Sequence, residues 1–198
     1  MAVEFLSAKN GFPCAKANGV LLHSSYNPQA QAERFVQSLE EPFNPIAAIV
    51  LEPGLGYCAQ PLRKKFPKAK IGAIRLCPDF YESDKEWDFV LCLNEIERAF
   101  QMNKASAAPL SERLFNALGE EGLFSTLFFE WQPSTRAWPD ETKAAWLQIK
   151  AAAQKAKAVL ATREHFAKRW LKNKIRFFLN AKSCSELLKI QMPVLICA

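Results

Sequence analysis

The stretch IAAIVLEPGLGY, residues 46–57, decides the fold of this chain. Residues 46–52 form an almost unbroken apolar run of strand length, and such runs are typical of parallel sheets covered on both faces. The glycines at 54 and 56 then predict a tight turn. A helix carrying Tyr57, Leu62 and Phe66 on its apolar face is expected to follow. Strand, glycine turn and helix together predict one repeating unit of an α/β protein.

The same alternation continues on both sides of this stretch. Before it, GVLLHS (19–24) predicts a short strand after an irregular lead-in over 1–18, and Asn27-Pro28 predicts the cap and first turn of a helix. After it, strands are predicted at 70–76, 87–93 and 123–131, with a helix from about Asn94. Residues 1–139 are therefore predicted to form a Rossmann-like domain, a mostly parallel sheet with helices on both faces.

A long basic helical segment is predicted after this domain. No glycine or proline lies between Asp140 and Asn180, and apolar residues recur there at three- and four-residue spacing, as at Trp146, Ile149, Ala153, Ala156 and Leu160. Residues 140–191 are therefore predicted to be a helical extension. It comprises one long helix, or two in series with a break near 161–162, and a short helix around 185–190. The final residues, 192–198, predict a strand that would begin a further domain.

Charge is distributed unevenly along the chain. Residues 142–198 carry 12 basic and 2 acidic side chains, whereas residues 1–141 are slightly acidic. A basic segment is compatible with nucleic acid, an acidic partner, an anionic substrate or docking on the acidic domain of the same chain. Aromatic residues alternate with Arg and Lys over 161–181, but no nucleic-acid-binding module is recognised there. We therefore expect those aromatics to be core residues and nucleic acid not to be a partner.

Composition sets further limits. Hydrophobic residues make up 49% of the chain, yet no apolar run reaches the roughly 18 residues that a membrane span needs. The N-terminus lacks the apolar stretch of a secretory signal, so a cytoplasmic protein without a membrane partner is expected. The six cysteines form no CxxC pair and the two histidines lie far apart, so we expect buried thiols and no metal site.

The first candidate site is the loop that carries Glu52, Gly54, Gly56 and Tyr57. Glycines at a strand-to-helix junction allow backbone N–H groups to approach a ligand, and the helix N-terminus favours anions. The spacing is similar to the first motif of S-adenosylmethionine methyltransferases. It departs from that motif because Cys58 stands where a third glycine is expected. The second strand also ends at Arg75 instead of an acid that would bind ribose. A structural turn and a cofactor cradle both remain open.

The second candidate site lies at the end of the first predicted strand. His23, Ser24, Tyr26 and Asn27 cluster there, and strand ends are where α/β proteins often place their sites. A nucleophilic serine would need a base and an orienting acid, and no motif provides them. Local hydrogen bonding by His23 is the alternative reading.

Together these segments resemble the opening of the motility-associated factor (Maf) family of flagellin glycosyltransferases. LHSSYNP (22–28), the helix with Ala32-Glu33 and GLGY (54–57) occur in the family's order. Thr162, Phe166, Trp170 and Asn173, with Asn180 further on, fit a stretch that precedes the family's central domain. PVLICA (193–198) is similar to the strand that leads into its Gly-Pro-Ser-Leu loop.

The resemblance implies a non-catalytic N-terminal part of a Maf-like protein. The family's central domain handles a nucleotide-activated sugar, and its Gly-Pro-Ser-Leu loop would follow Ala198. The resemblance therefore assigns no catalytic residue and no cofactor to this chain. Flagellin or the central domain are the partners it implies, and strand 192–198 could also pair between copies of the chain. The alternative function is a methyltransferase-like domain that uses Gly54-Leu55-Gly56.

Overall fold

A computed structural model describes residues 3–94 and 108–180. The chain begins with a small antiparallel sheet of three strands in the order β1-β2-β3. Its strands are β1 (Glu4–Ser7), β2 (Pro13–Ala17) and β3 (Val20–Leu21). The irregular lead-in expected over 1–18 is therefore wrong. The prediction failed because Gly11, which suggested a loop, lies in the hairpin turn between β1 and β2, and Pro13 is the first residue of β2.

The central feature is a parallel sheet, to which four strands contribute within the described residues. These strands are β4 (Ala47–Leu51), β5 (Lys70–Arg75), β6 (Phe89–Cys92) and β7 (Thr126–Glu130). Their order is β6-β5-β4-β7, and every neighbouring pair is parallel. Strand β4 is central and all five of its residues are buried. The apolar run at 46–52 thus lies where its composition predicts.

Helices cover both faces of the parallel sheet. They are α1 (Pro28–Ser38), α2 (Ala59–Lys65), α3 (Leu110–Phe124), α4 (Gln132–Ala137) and α5 (Pro139–Asn180), with a 3-10 helix at Pro78–Glu86. Helices α1 and α2 pack on one face, where Val36 and Leu62 join Val50 of β4. Helices α3 and α5 pack on the other, where Leu114 and Ile149 join Ile49. The predicted α/β architecture with helices on both faces is confirmed, and it is consistent with a Rossmann-like fold.

Helix α5 runs without interruption for 42 residues, so the single-helix alternative is correct. Its first part belongs to the compact unit Met1–Lys157, because Ala145, Ile149, Ala152 and Ala156 are buried in that unit's core. The sequence placed the domain boundary at 139, whereas this unit continues to Lys157. A second unit, Ala158–Ala198, contains the remainder of α5.

Several predicted elements lie outside the described residues. They are the helix expected from about Asn94, the short helix at 185–190 and the strand at 192–198. No helix in the described part of the chain is long and apolar enough to cross a membrane.

Candidate functional site

The candidate site lies at the carboxyl edge of the parallel sheet, between β4 and β7. After β4 the chain turns through α2 to β5 on one side, whereas β7 pairs with β4 on the other side. Two neighbouring strands whose connections leave in opposite directions create a crevice, and α/β proteins commonly bind ligands in it. Glu52 follows β4 here, and Trp131 and Gln132 follow β7.

Glu52 is fully buried, and groups of this chain provide all the hydrogen bonds that its carboxylate accepts. Its Oε1 accepts a hydrogen bond from Arg75 Nη1 at 2.9 Å and from the Gly54 backbone N–H at 3.2 Å. Its Oε2 accepts hydrogen bonds from the backbone N–H groups of Leu76 at 2.8 Å and Cys77 at 2.9 Å. Four donors satisfy a carboxylate's acceptor capacity. Glu52 therefore ties the end of β4 to the end of β5.

Arg75 is the buried partner of Glu52, with 3% of its side chain exposed. It also donates to Asp84 Oδ1 at 2.9 Å and to the Gly54 carbonyl at 2.7 Å. In the sequence, Arg75 was identified only as standing where the methyltransferase motif has a ribose-binding acidic residue. The structure shows that the arginine holds the glycine loop and the 3-10 helix together. The signal that could have suggested this pair is the position of both residues at the ends of adjacent strands.

The glycine loop packs against the protein's own side chains. Gly54 and Gly56 both have positive φ values, 58° and 79°. A Cβ on Gly54 would lie 2.5 Å from His23 Nε2, and one on Gly56 would lie 3.3 Å from the Ser83 carbonyl oxygen. Glycine is required at these positions by the backbone conformation and by the close approach of these groups.

His23 contacts this loop directly. The Leu55 backbone N–H donates to His23 Nε2 at 3.0 Å, and the ring contacts Tyr57 edge-on at a centroid distance of 5.2 Å. Burial, followed by the positive charge of Arg75, lowers the pKa of His23 to about 3. The imidazole is therefore neutral near pH 7. Because Nε2 accepts a hydrogen bond, Nδ1 carries the proton, and no acceptor for it is found among the described residues.

The other candidates near His23 have local roles. Asn27 caps α1 by accepting a hydrogen bond from the Ala30 N–H at 3.0 Å. Ser24 Oγ accepts from the backbone N–H groups of Tyr26 and Asn27. Tyr26 is exposed, with Lys9 Nζ 4.2 Å from its ring centre. Tyr57 donates its hydroxyl proton to the Pro13 carbonyl at 2.8 Å. The structure thus brings His23, Gly54 and Tyr57 together, whereas Tyr26 and Asn27 form the turn that starts α1.

An open cavity of about 570 Å³ adjoins His23 at this edge of the sheet. Its lining residues come from β3, the turn before α1, α1 itself and the start of α4, and they are Val20, Leu21, His23, Ser24, Ser25, Gln31, Arg34, Phe35, Trp131, Gln132, Pro133 and Arg136. Sequence reasoning found only His23 and Ser24. Arg34 and Arg136 carried no motif, although Arg136 lies within seven residues of a strand end, where sites form.

The described residues provide little for nucleophilic or metal chemistry. Burial raises the pKa of the Cys77 thiol to about 12 and also raises the pKa of Cys58, so both stay protonated. No group of three or more potential metal ligands occurs among residues 3–94 and 108–180. The fold and the site together define an α/β protein with a parallel sheet, a buried charge pair at the carboxyl edge of that sheet and an open cavity beside His23.

No family model and no solved structure matches this chain. A protein of Treponema pallidum (strain Nichols), described as uncharacterized, is 34% identical to it over 89 residues. The aligned part is 44% of this chain and 20% of the relative. The chain thus covers about a fifth of the length of the relative that it matches.

Proposed function

We propose that this chain is a non-catalytic, N-terminal domain of a Maf-like protein of flagellin glycosylation. In this proposal the α/β domain and its helical extension support the sugar-nucleotide-binding domain that the resemblance implies. The observation that carries the proposal is the exposed apolar surface of the extension. The burial of Glu52 and Arg75, whose side chains bind each other and the surrounding loop, supports it.

The second part of α5 presents large apolar side chains to solvent. Its strongly exposed residues, all at least half exposed, are Trp170, Leu171, Ile175, Phe177, Phe178 and Leu179. Concentrated apolar exposure of this kind marks protein interaction surfaces. Basic residues alternate with them, so a partner with acidic groups around an apolar groove would complement the helix. The sequence predicted the aromatics of this segment to be core residues, which is wrong for Trp170, Phe177 and Phe178 in the described chain, and the proposed partner would bury them.

A domain of the same protein is the partner we favour, and flagellin is the alternative. The Maf resemblance implies a central domain next to this segment. The relative from Treponema pallidum also has about four fifths of its length outside the aligned part, which leaves room for such a domain. An intramolecular partner is present at high effective concentration, so a modest interface would suffice.

The proposal that this chain is non-catalytic rests on the residues at the glycine loop, Glu52 and His23. A general acid or base must offer a proton site to substrate, whereas Glu52 already accepts four hydrogen bonds from this chain. His23 is buried and neutral, and its Nε2 is occupied by the Leu55 N–H.

The test is flagellin mass in a strain that lacks the gene for this chain. We expect loss of the sugar mass, restoration by the wild-type gene, and no restoration by Trp170→Asp/Phe178→Asp. Lys150→Gln is the control, at an exposed position of α5 outside the apolar segment, and should restore the sugar. Unchanged flagellin in the deletion strain would refute a role in glycosylation. Sugar transfer to flagellin by the purified chain alone would refute the non-catalytic assignment.

The methyltransferase-like alternative is favoured by one observation, the positive-φ glycine turn at the carboxyl end of β4. Against it, His23 covers the open side of Gly54, and Arg75 stands where an acid would bind ribose. We expect calorimetric titration with S-adenosylmethionine to give a Kd weaker than about 10 μM, which corresponds to roughly 7 kcal/mol. Tighter binding would favour the alternative.

A further inference from the structure

The open cavity beside His23 is positively charged. Arg34 of α1 and Arg136 of α4 line it, and no lining residue is acidic. Within the described residues neither guanidinium has an ion-pair partner, in contrast to Arg63 and Arg75, which pair with Asp88 and Glu52. Arg34 Nε donates to the Ala30 carbonyl at 3.1 Å, and its two terminal nitrogens remain for a ligand. Two guanidinium groups without an ion-pair partner in the described residues favour a carboxylate or phosphate, whose geometry their forked donors match.

A buried donor without a partner lies at the same place. His23 is 1% exposed, its Nδ1 has no hydrogen-bond partner in the described part of the chain, and its ring lines the cavity. Buried polar groups in folded proteins are almost always paired with protein, water or ligand. An acceptor oxygen that enters from the cavity would complete the hydrogen bonding of this imidazole.

The location and size of the cavity agree with a ligand site. Trp131, Gln132 and Pro133 follow β7, so the cavity lies beside the carboxyl end of β7, the neighbour of β4, and this edge is the usual ligand position in open α/β sheets. Its volume of about 570 Å³ is within the range of small-molecule pockets. Val20, Leu21 and Phe35 add apolar wall, which a bare inorganic ion would not use.

We propose that this cavity binds a small organic anion, a phosphate ester or a carboxylic acid of about the size of a nucleoside monophosphate. Arg34 and Arg136 bind the anionic group. His23 donates its Nδ1 proton to an oxygen of the ligand, while its Nε2 keeps the hydrogen bond to the glycine loop. This site is separate from the extension and does not depend on the role proposed for α5.

The experiment is calorimetric titration of the full chain at low ionic strength with adenosine monophosphate, citrate, adenosine and inorganic phosphate. We expect adenosine monophosphate or citrate to bind with a Kd of about 100 μM or tighter, and adenosine not to bind. Binding of the nucleotide but not citrate identifies a phosphate ligand, and the reverse identifies a carboxylate. Inorganic phosphate should bind more weakly than either organic anion, because it contacts no apolar wall.

Charge-neutralising variants locate the site. Arg34→Gln and Arg136→Gln should each weaken binding by about tenfold or more, because each removes charge-assisted hydrogen bonds. Lys150→Gln removes one charge from an exposed position of α5 and should bind as the wild type does. Arg34 and Arg136 are themselves exposed, so folding of the variants is expected and is checked by circular dichroism.

The titrations either support or overturn the proposed anion site. A shift of the His23 Nδ1 proton resonance on addition of the bound anion, together with the arginine effects, supports the proposal. Three results overturn it: no anion binding tighter than about 1 mM, unchanged binding in both arginine variants, or equal weakening by Lys150→Gln.

Discussion

Glu52 combines a strained backbone with a fully buried charge. Its φ of 40° is unusual for a residue with a side chain. This conformation places the carboxylate where Arg75 Nη1 and three backbone N–H groups converge on it. Removing one partner from a buried pair leaves an uncompensated charge, which costs far more than the pair itself contributes. The pair therefore specifies the loop geometry at the carboxyl edge of the sheet.

Replacing Arg75 by Met should lower the free energy of unfolding by about 3–5 kcal/mol, because Glu52 would stay buried without its counter-charge. The matched control is Arg63→Met, which breaks the half-exposed Arg63–Asp88 pair at 2.7 Å. It should cost less than about 1 kcal/mol. Urea denaturation followed by circular dichroism measures both values. Similar costs for the two variants would contradict the assigned importance of the buried pair.

His23 makes stability depend on pH. Its pKa is about 3 in the folded protein and near 6.5 when unfolded, so the unfolded chain binds the extra proton between these values. The histidine's contribution is thus complete above pH 6.5 and is lost as pH falls toward 3, by up to about 1.4 kcal/mol per pH unit. Gln at this position can accept the Leu55 N–H and does not titrate. We expect His23→Gln to have a shallower decline between pH 6.5 and 4.5 in urea titrations, and equal slopes would disprove the assignment.

At the scale of elements, the β4–α2 connection is defined by its glycines. Gly54 faces the imidazole of His23, and Gly56 faces the Ser83 carbonyl and the Trp87 indole. The same loop thus fixes α2 on one side and the 3-10 helix on the other. A side chain at Gly54 would have to displace the buried His23, and one at Gly56 would crowd the Ser83 carbonyl and the Trp87 indole.

Gly56→Ala should destabilise the protein more than Gly11→Ala. Both glycines have φ near 80°, so both variants carry the left-handed backbone cost of about 1–2 kcal/mol. Only at Gly56 does a Cβ also meet close neighbours, whereas Gly11 has nothing within 4 Å. The comparison of melting temperatures isolates the packing effect. A larger drop for Gly11→Ala would show that the loop can move away from the 3-10 helix.

At the scale of the whole molecule, α5 has residues in two compact units, with the boundary after Lys157. Up to Lys157 its apolar face packs into the core beside the parallel sheet, whereas the large apolar side chains of its last part, from Trp170 to Leu179, are exposed. The sequence shows one continuous helical pattern over both parts. Helical periodicity indicates that an apolar face exists, but it does not indicate what covers that face.

Two isoleucines of α5 test this division. Ile149 is 6% exposed and Ile175 is 50% exposed, so the same substitution at both carries the same helix-propensity change. Ile149→Ala should lower the free energy of unfolding by about 2–5 kcal/mol through loss of core packing. Ile175→Ala should change it by less than about 0.5 kcal/mol. Equal losses would show that the second part of α5 is packed in the isolated chain.

The sequence by itself determined the parallel sheet and its glycine turn. The run at 46–52, the strands at 70–76, 87–93 and 123–131, and the long helix after Asp140 are local patterns, and local patterns follow from backbone geometry and burial. Asn27 and Pro28 likewise marked the start of α1 correctly. The antiparallel hairpin at the N-terminus was missed because its strands are short and largely exposed on β1, so they carry no apolar alternation.

Only the tertiary structure decided what the candidate residues do. Glu52 and Arg75 are 23 positions apart along the chain, and they meet because β4 and β5 are adjacent and parallel. His23 reaches the glycine loop, and Arg34 and Arg136 come to one cavity, through packing between distant segments. Such contacts depend on strand order and on how helices lie across the sheet. A single sequence does not directly show strand order or helix placement. Its periodicity reports the neighbours of a residue along the chain, not its neighbours in space.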